Sequence, residues 1–202
     1  MMLTQDIDLC QICRSLVDSN KLMTSKKPYV EFQVEEKWKP KKVKILFVAE
    51  SPPWNGEQRY FYNPNIDEKD TNLRKEVLKH LNIDSLEKFK EIGCFLVDSI
   101  KCRINKNDDK NVPRKVLNTC TGQFLRREIT DLKPKTVFVL GNSAKQALQN
   151  LPGFKDLRRH KITDDYDKIL SGHRVILCVY PGRQTRHYEN RIKHVFSKIQ
   201  FL

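Results

Sequence analysis

The sequence predicts an α/β protein, a three-layer α/β/α arrangement around a central four-stranded parallel sheet. Two observations carry this. Four short apolar runs, "VKILFVA" (43–49), "CFLVDSI" (94–100), "TVFVLG" (136–141) and "RVILCVY" (174–180), are rich in β-branched residues and nearly continuous, as strands covered on both faces are. Between them lie stretches with helical spacing of apolar positions, at 68–80, 85–91, 113–131 and 143–150, and a last one at 187–200 follows the final strand. Strand alternating with helix implies right-handed crossovers and a helix layer on each face of the sheet.

Ahead of this core, residues 3–16 have helical spacing and carry "CQIC" in their middle. Residues 17–41, with Pro28, Pro40 and the lysine-rich "KWKPKK", read as an irregular connection. A chain of 202 residues fills one core, so residues 1–202 are taken as a single domain. Ligands of such sheets bind beyond the carboxyl ends of the strands, which directs attention to the residues just after 49, 97, 140 and 179.

The apolar fraction of 39% and charged fraction of 31% are those of a soluble globular protein. No apolar run approaches the roughly 20 residues that a membrane helix requires, and the start of the chain lacks a basic segment followed by an apolar one. A cytoplasmic location, nucleoid-associated in a prokaryote, is the expectation. With 38 Lys and Arg against 25 Asp and Glu, the net charge is +13. That balance favours a polyanionic partner, nucleic acid first, bound through phosphate contacts and counterion release.

Six cysteines in a chain without a secretory signal point to metal ligation or plain burial rather than disulfides. Cys94 and Cys178 lie inside apolar strands and read as core. Cys10 and Cys13 form a C-x2-C, and Cys102 and Cys120, with 17 residues between them, add a second pair. Four thiolates in two pairs suit zinc or a 4Fe-4S cluster, and the pattern alone does not choose.

Three segments, "ILFVAESPP", "LVDSIKCR" and "LKPKTVFVLGNSAKQAL", resemble successive blocks of the uracil-DNA glycosylase superfamily, most closely its iron-sulfur branch, family 4. In that branch one strand ends in Gly-Glu-Ala-Pro-Gly, a second carries Asn-x-x-Lys-Cys-Arg, and a third reads Lys-Pro-x-x-apolar-x-Leu-Gly. The resemblance spans roughly residues 8–200 and includes all four cysteines of the two pairs. It implies a DNA-binding monomer, with the target base flipped out, acting as a monofunctional glycosylase in base excision repair. It also implies that Cys10, Cys13, Cys102 and Cys120 hold a structural 4Fe-4S cluster rather than zinc, pinning the N-terminal helix, with the charges of Lys101 and Arg103 offsetting cluster and phosphate negativity.

Breaking the bond between base and deoxyribose places positive charge on the sugar and negative charge on the base, so a carboxylate that handles water beneath the sugar is required. Glu50, at the end of the first strand, matches that role. Ser51, Pro52 and Phe61 match the wall around a flipped base, Phe61 as its stacking partner, with Tyr60 or Tyr62 as the alternatives. In "PGRQTRHYENR", Arg183, Arg186 and Arg191 are candidates for phosphates, and Gln184 or Arg183 for the gap left by the base. Ser143 and nearby N–H groups at a helix start form a further phosphate seat.

Three positions depart from the family pattern. Asp98 replaces the base-reading asparagine, and an ionised carboxylate only accepts hydrogen bonds where an amide also donates. Tyr180 stands in place of the histidine that donates to the developing charge on the base, with His187 seven residues further on. Pro53 replaces a glycine, removing an N–H at a turn near the base. Two other functions fit the same residues less fully: a non-catalytic nucleic-acid-binding protein of this fold, and a hydrolase of free nucleosides or nucleotides.

Overall fold

The computed structural model describes residues 3–15, 22–23, 27–54, 59–65, 73–106, 112–182 and 187–199. Its centre is a sheet of five strands. Four of them are the expected apolar runs: β2 (Ile45–Ala49), β3 (Cys94–Asp98), β5 (Thr136–Leu140) and β7 (His173–Cys178), all mutually parallel in the order β3-β2-β5-β7. The fifth, β6 (Asp167–Leu170), pairs antiparallel on the outer side of β7.

That fifth strand is the main addition to the expected four. Leu170 pairs with His173, leaving Ser171 and Gly172 as a two-residue turn in which both have positive φ, 49° and 82°. Such a turn matches the right-handed twist of a hairpin. Because β6 is an edge strand, its residues are largely polar or exposed, and Ile169 is 68% exposed.

The crossovers set the layers. From β2 the chain moves one way to β3 through α4 (Leu73–Leu81) and α5 (Leu86–Glu91). From β3 it moves the other way to β5, through α6 (Arg114–Cys120), a π-helical turn (Thr121–Leu125) and α7 (Arg126–Leu132). The link from β5 to β7 continues in that direction and contains α8 (Asn142–Leu148). Right-handed connections running in opposite directions lie on opposite faces. The closing helix α9 (Glu189–Ser197) packs with α4.

Alternation along the strands sends Phe47 and Phe138 to the face of α5 and α9. There Phe47 lies 5.5 Å from Phe89, 5.1 Å from Phe138 and 6.2 Å from Phe196, measured between ring centroids. Phe47, Phe89, Phe138 and Phe196 are all buried.

Two other expectations change. The helix expected over 3–16 stops as α1 (Leu3–Leu9) and resumes as a 3-10 turn (Ile12–Ser15), so Cys10 and Cys13 do not share one continuous helix. The connection read as irregular holds α2 (Pro28–Glu31) and α3 (Val34–Trp38), separated where Gln33 takes a left-handed φ of 50°. Pro28 opens a helix instead of breaking one, since the first turn has no use for its missing N–H. A short ribbon pairs β1 (Leu22–Met23) with β4 (Arg103–Ile104).

Truncating the central ring provides a test of this core. Phe47→Ala is expected to lower stability by about 3–5 kcal/mol, read as an earlier midpoint in urea denaturation.

Candidate active site

At the carboxyl end of the sheet, β2 and β3 run in register, with Ala49 opposite Asp98. The pairing continues past the strands: Ser99 N–H donates to Ala49 O at 2.9 Å, and Ile100 N–H to Glu50 O at 3.0 Å. Glu50 and Asp98 thus stand on adjacent strand ends, one register position apart, on the rim where an α/β sheet binds its ligands.

Their surroundings differ. The Glu50 side chain is 21% exposed, and Lys106 Nζ forms an ion pair with its Oε1. That oxygen is enclosed and has no hydrogen-bond partner among the described residues. Burial holds the Lys106 amine below its ordinary value. Asp98 is 8% exposed, and burial pushes its carboxyl up to about 7; Lys101 and Arg103 oppose that rise and Glu128 adds to it.

Three phenols, Tyr60, Tyr62 and Tyr180, share the charge field of Asp98. Tyr60 is buried and stacks on Phe32 at 5.3 Å, and burial, then Asp98, raises its hydroxyl well above the usual value. Tyr180 follows β7; burial of its hydroxyl end and then Asp98 push it up to about 12, although the residue as a whole is 41% exposed. Gly141, which ends β5 with φ 87°, lets Tyr180 pass: a Cβ there would meet Tyr180 Cβ at 3.1 Å. Glu50, Asp98 and Tyr180 are therefore gathered on one rim.

Other expected site residues fall as follows. Ser51 is half-buried and Pro52 buried beside Glu50. Phe61 is 3% exposed and already packs against Tyr62 at 4.9 Å and Phe89 at 5.3 Å, so much of its ring serves the core. Tyr62 spans to β3, donating to Leu96 O and accepting from Leu96 N–H. Ser143 sits in the first turn of α8, half-buried, while Gly141 takes the N-cap position. Arg183, Gln184 and Arg186 lie outside the described residues. His187 is exposed and packs on Tyr188. On α9, Arg191 lies near Cys178, and its Nε and Nη2 are enclosed without a hydrogen-bond partner among the described residues.

Cys10, Cys13, Cys102 and Cys120 line one pocket, together with Ile7, Ile100 and Phe124. Burial raises the thiols of Cys13 and Cys102 to about 11 and that of Cys120 further, and neighbouring cysteines add to each rise. Lys101 N–H donates to Cys120 Sγ at 3.4 Å, and Lys27 Nζ donates to the Cys10 carbonyl at 2.8 Å. Among the described residues, no three Cys, His, Asp or Glu side chains are disposed to close around a single metal ion. Cys94 and Cys178 are fully buried in their strands, as expected of core thiols.

Lys101 and Arg103 face inward instead of meeting phosphates. Lys101 Nζ, 2% exposed, donates to both carboxylate oxygens of Glu128, at 2.8 and 2.7 Å, and to Asp98 O at 2.6 Å. Arg103, 1% exposed, donates through Nη1 to Pro53 O at 2.9 Å. Sequence reading missed Glu128 and Lys106. Glu128 had a signal, because it is in helical phase with the apolar positions Leu117, Cys120, Phe124 and Leu125. Lys106 had none, since its partner is distant in the chain.

The Lys101 ion pair yields a stability prediction. Lys101→Met is expected to cost about 3–5 kcal/mol by stranding a buried carboxylate, and adding Glu128→Leu to recover most of that loss in urea denaturation.

No curated protein matches the chain. A family model described as the Uracil DNA glycosylase superfamily matches residues 36–200, covering every strand of the central sheet together with Glu50, Asp98 and Tyr180. The chain belongs to the uracil-DNA glycosylase superfamily.

Proposed function

We propose that the protein binds DNA with the target base flipped out and hydrolyses the N-glycosidic bond of a deaminated or damaged base, uracil or a relative, in base excision repair. One observation carries this reading: two carboxyl groups, Glu50 and Asp98, stand on adjacent strand ends in unlike environments. Two acids so arranged take two roles.

Glu50 orients water beneath the sugar, and its charge offsets the cation that forms there. Asp98 reads the base. As a neutral acid it donates and accepts, as the family's amide does with uracil O4 and N3–H; as a carboxylate it only accepts. Tyr180, whose high pKa keeps its proton near neutrality, donates to the charge developing on the base. Ser51, Pro52 and Phe61 supply the surrounding wall.

Phosphate contacts are assigned to Ser143, Arg183, Gln184 and Arg186. The net charge of +13 supports an anionic polymer as the ligand. This reading places the protein in the cytoplasm, at the nucleoid in a prokaryote. Among the described residues, no helix is long and apolar enough to cross a membrane.

To the pocket of Cys10, Cys13, Cys102 and Cys120 we assign a 4Fe-4S cluster, the mark of the family 4 branch. The shared pocket, the N–H aimed at Cys120 Sγ and the lysines nearby support it. A four-iron cube spaces its thiolates more widely than a single tetrahedral ion, which makes zinc the lesser fit. Its contribution is a structural tie between the N-terminal segment and the domain.

Three measurements test these assignments. Oligonucleotides bearing uracil, hypoxanthine or xanthine are expected to release at least one base, with Glu50→Gln slower by about 10²–10⁴-fold. Binding without release from any lesion would select the non-catalytic reading, and activity confined to free nucleosides, with no steep salt dependence, would select the nucleoside hydrolase.

On uracil, single-turnover release is expected to fall as pH rises through about 7, because the neutral form of Asp98 is lost there. Asp98→Asn should flatten that limb. Anaerobically prepared protein should absorb near ~400 nm and carry about four irons per chain; a colourless protein with about one zinc would overturn the cluster assignment.

A further inference from the structure

We propose that Lys106 gives the same site a second activity: its amine captures the aldehyde of an abasic deoxyribose, and the strand 3′ to that sugar is then released by elimination. The proposal rests on the reading of Glu50 as the group beneath the sugar. A carboxylate holding a water lies about 3 Å from that water, which lies about 3 Å from the carbon it attacks. Lys106 Nζ touches Glu50 Oε1, so it stands in the space that the sugar's reacting carbon must approach.

Position and reactivity both suit it. Lys106 follows β4, whose Ile104 is paired with Leu22 and whose Arg103 is tied to the Pro53 carbonyl, so the amine starts from a fixed ribbon. Its side chain is 32% exposed, and burial favours the unprotonated, nucleophilic form. The cationic groups nearest the other carboxyl, Lys101 and Arg103, are closed into the interior by Glu128 and Pro53, and Lys106 alone among these three is paired with Glu50.

The chemistry balances without an oxidant or reductant. The amine lone pair adds to C1′ of the ring-opened sugar, and water leaves to give an iminium. Glu50 accepts a proton from C2′. The electron pair left on C2′ forms a new double bond to C3′ as the C3′–O bond breaks, freeing a 5′-phosphate on the downstream fragment. Water then hydrolyses the imine and restores Lys106.

The test uses duplex DNA carrying a preformed abasic site, so that it does not depend on base removal by this protein. With borohydride present, the full-length protein is expected to form a covalent complex on a denaturing gel, with the adduct mapped to Lys106 by mass spectrometry. Lys106→Arg, which keeps the charge, should lower the yield at least tenfold while still binding a tetrahydrofuran analogue that has no aldehyde. Glu50→Gln should still be trapped but release strand more slowly. Absence of the wild-type adduct, or an adduct mapped to another amine, overturns the proposal. Should Lys106→Arg lose analogue binding, the wild-type mapping alone decides. Failure of the glycosylase reading shows separately, as lack of base release from the lesion panel.

Discussion

The buried pair of Lys101 and Glu128 is the contact on which the site depends. An ammonium has three hydrogens to donate, and here all three have acceptors: two carboxylate oxygens of Glu128 and the carbonyl of Asp98. Desolvating two charges this deeply is tolerated only when geometry is that complete. The same ammonium lies 5.5 Å from the Tyr29 ring, so one side chain joins the end of β3, α7 and α2. Its neighbour Cys102 and its own N–H, aimed at Cys120 Sγ, extend the tie to the thiol pocket. The Asp98 backbone and the thiol pocket are therefore two ends of one short connection. Arg103 pins the Pro53 carbonyl from within through Nη1, although its Nε has no hydrogen-bond partner among the described residues.

That tie also holds the N-terminal segment in place through ordinary polar contacts. Arg127 pairs with Asp6 at 2.6 Å, and Thr4 donates to Glu35 at 2.8 Å. With Lys27 donating to the Cys10 carbonyl, the loop that bears the first thiol is positioned by the protein's own groups before any metal is considered. A pocket so prepared would lose less ordering entropy in holding the proposed cluster.

What the sequence made legible follows from where information is local. Continuous apolar runs gave the four parallel strands within a residue or two, because burial on both faces leaves no other composition. The edge strand β6 escaped, since an edge needs no apolar run, although "SG" before "HRVIL" was a hairpin signal in plain view. Pro28 falls in a stretch that reads as irregular, yet the same ring that ends a helix also starts one. Glu50, Asp98 and Tyr180 were found as strand-end residues and do share a rim, whereas the partner of Glu50 was invisible. Lys106 reaches it only through the ribbon β1–β4, a long-range pairing of two residues on each side that no local pattern announces.

The departures from the family pattern then make sense as one change in chemistry. An amide at position 98 would read a base without titrating. A carboxyl enclosed at the same place, among Tyr60, Tyr180, Lys101 and Arg103, has its proton affinity brought close to neutrality. The two protonation states match different edges: a keto oxygen beside an N–H suits the acid, an amino group suits the carboxylate. Binding a keto base above the pKa must take up a proton, and binding an amino base below it must release one. On the proposed reading, recognition at this rim is coupled to pH, while Glu50, paired with Lys106, keeps a separate task at the sugar.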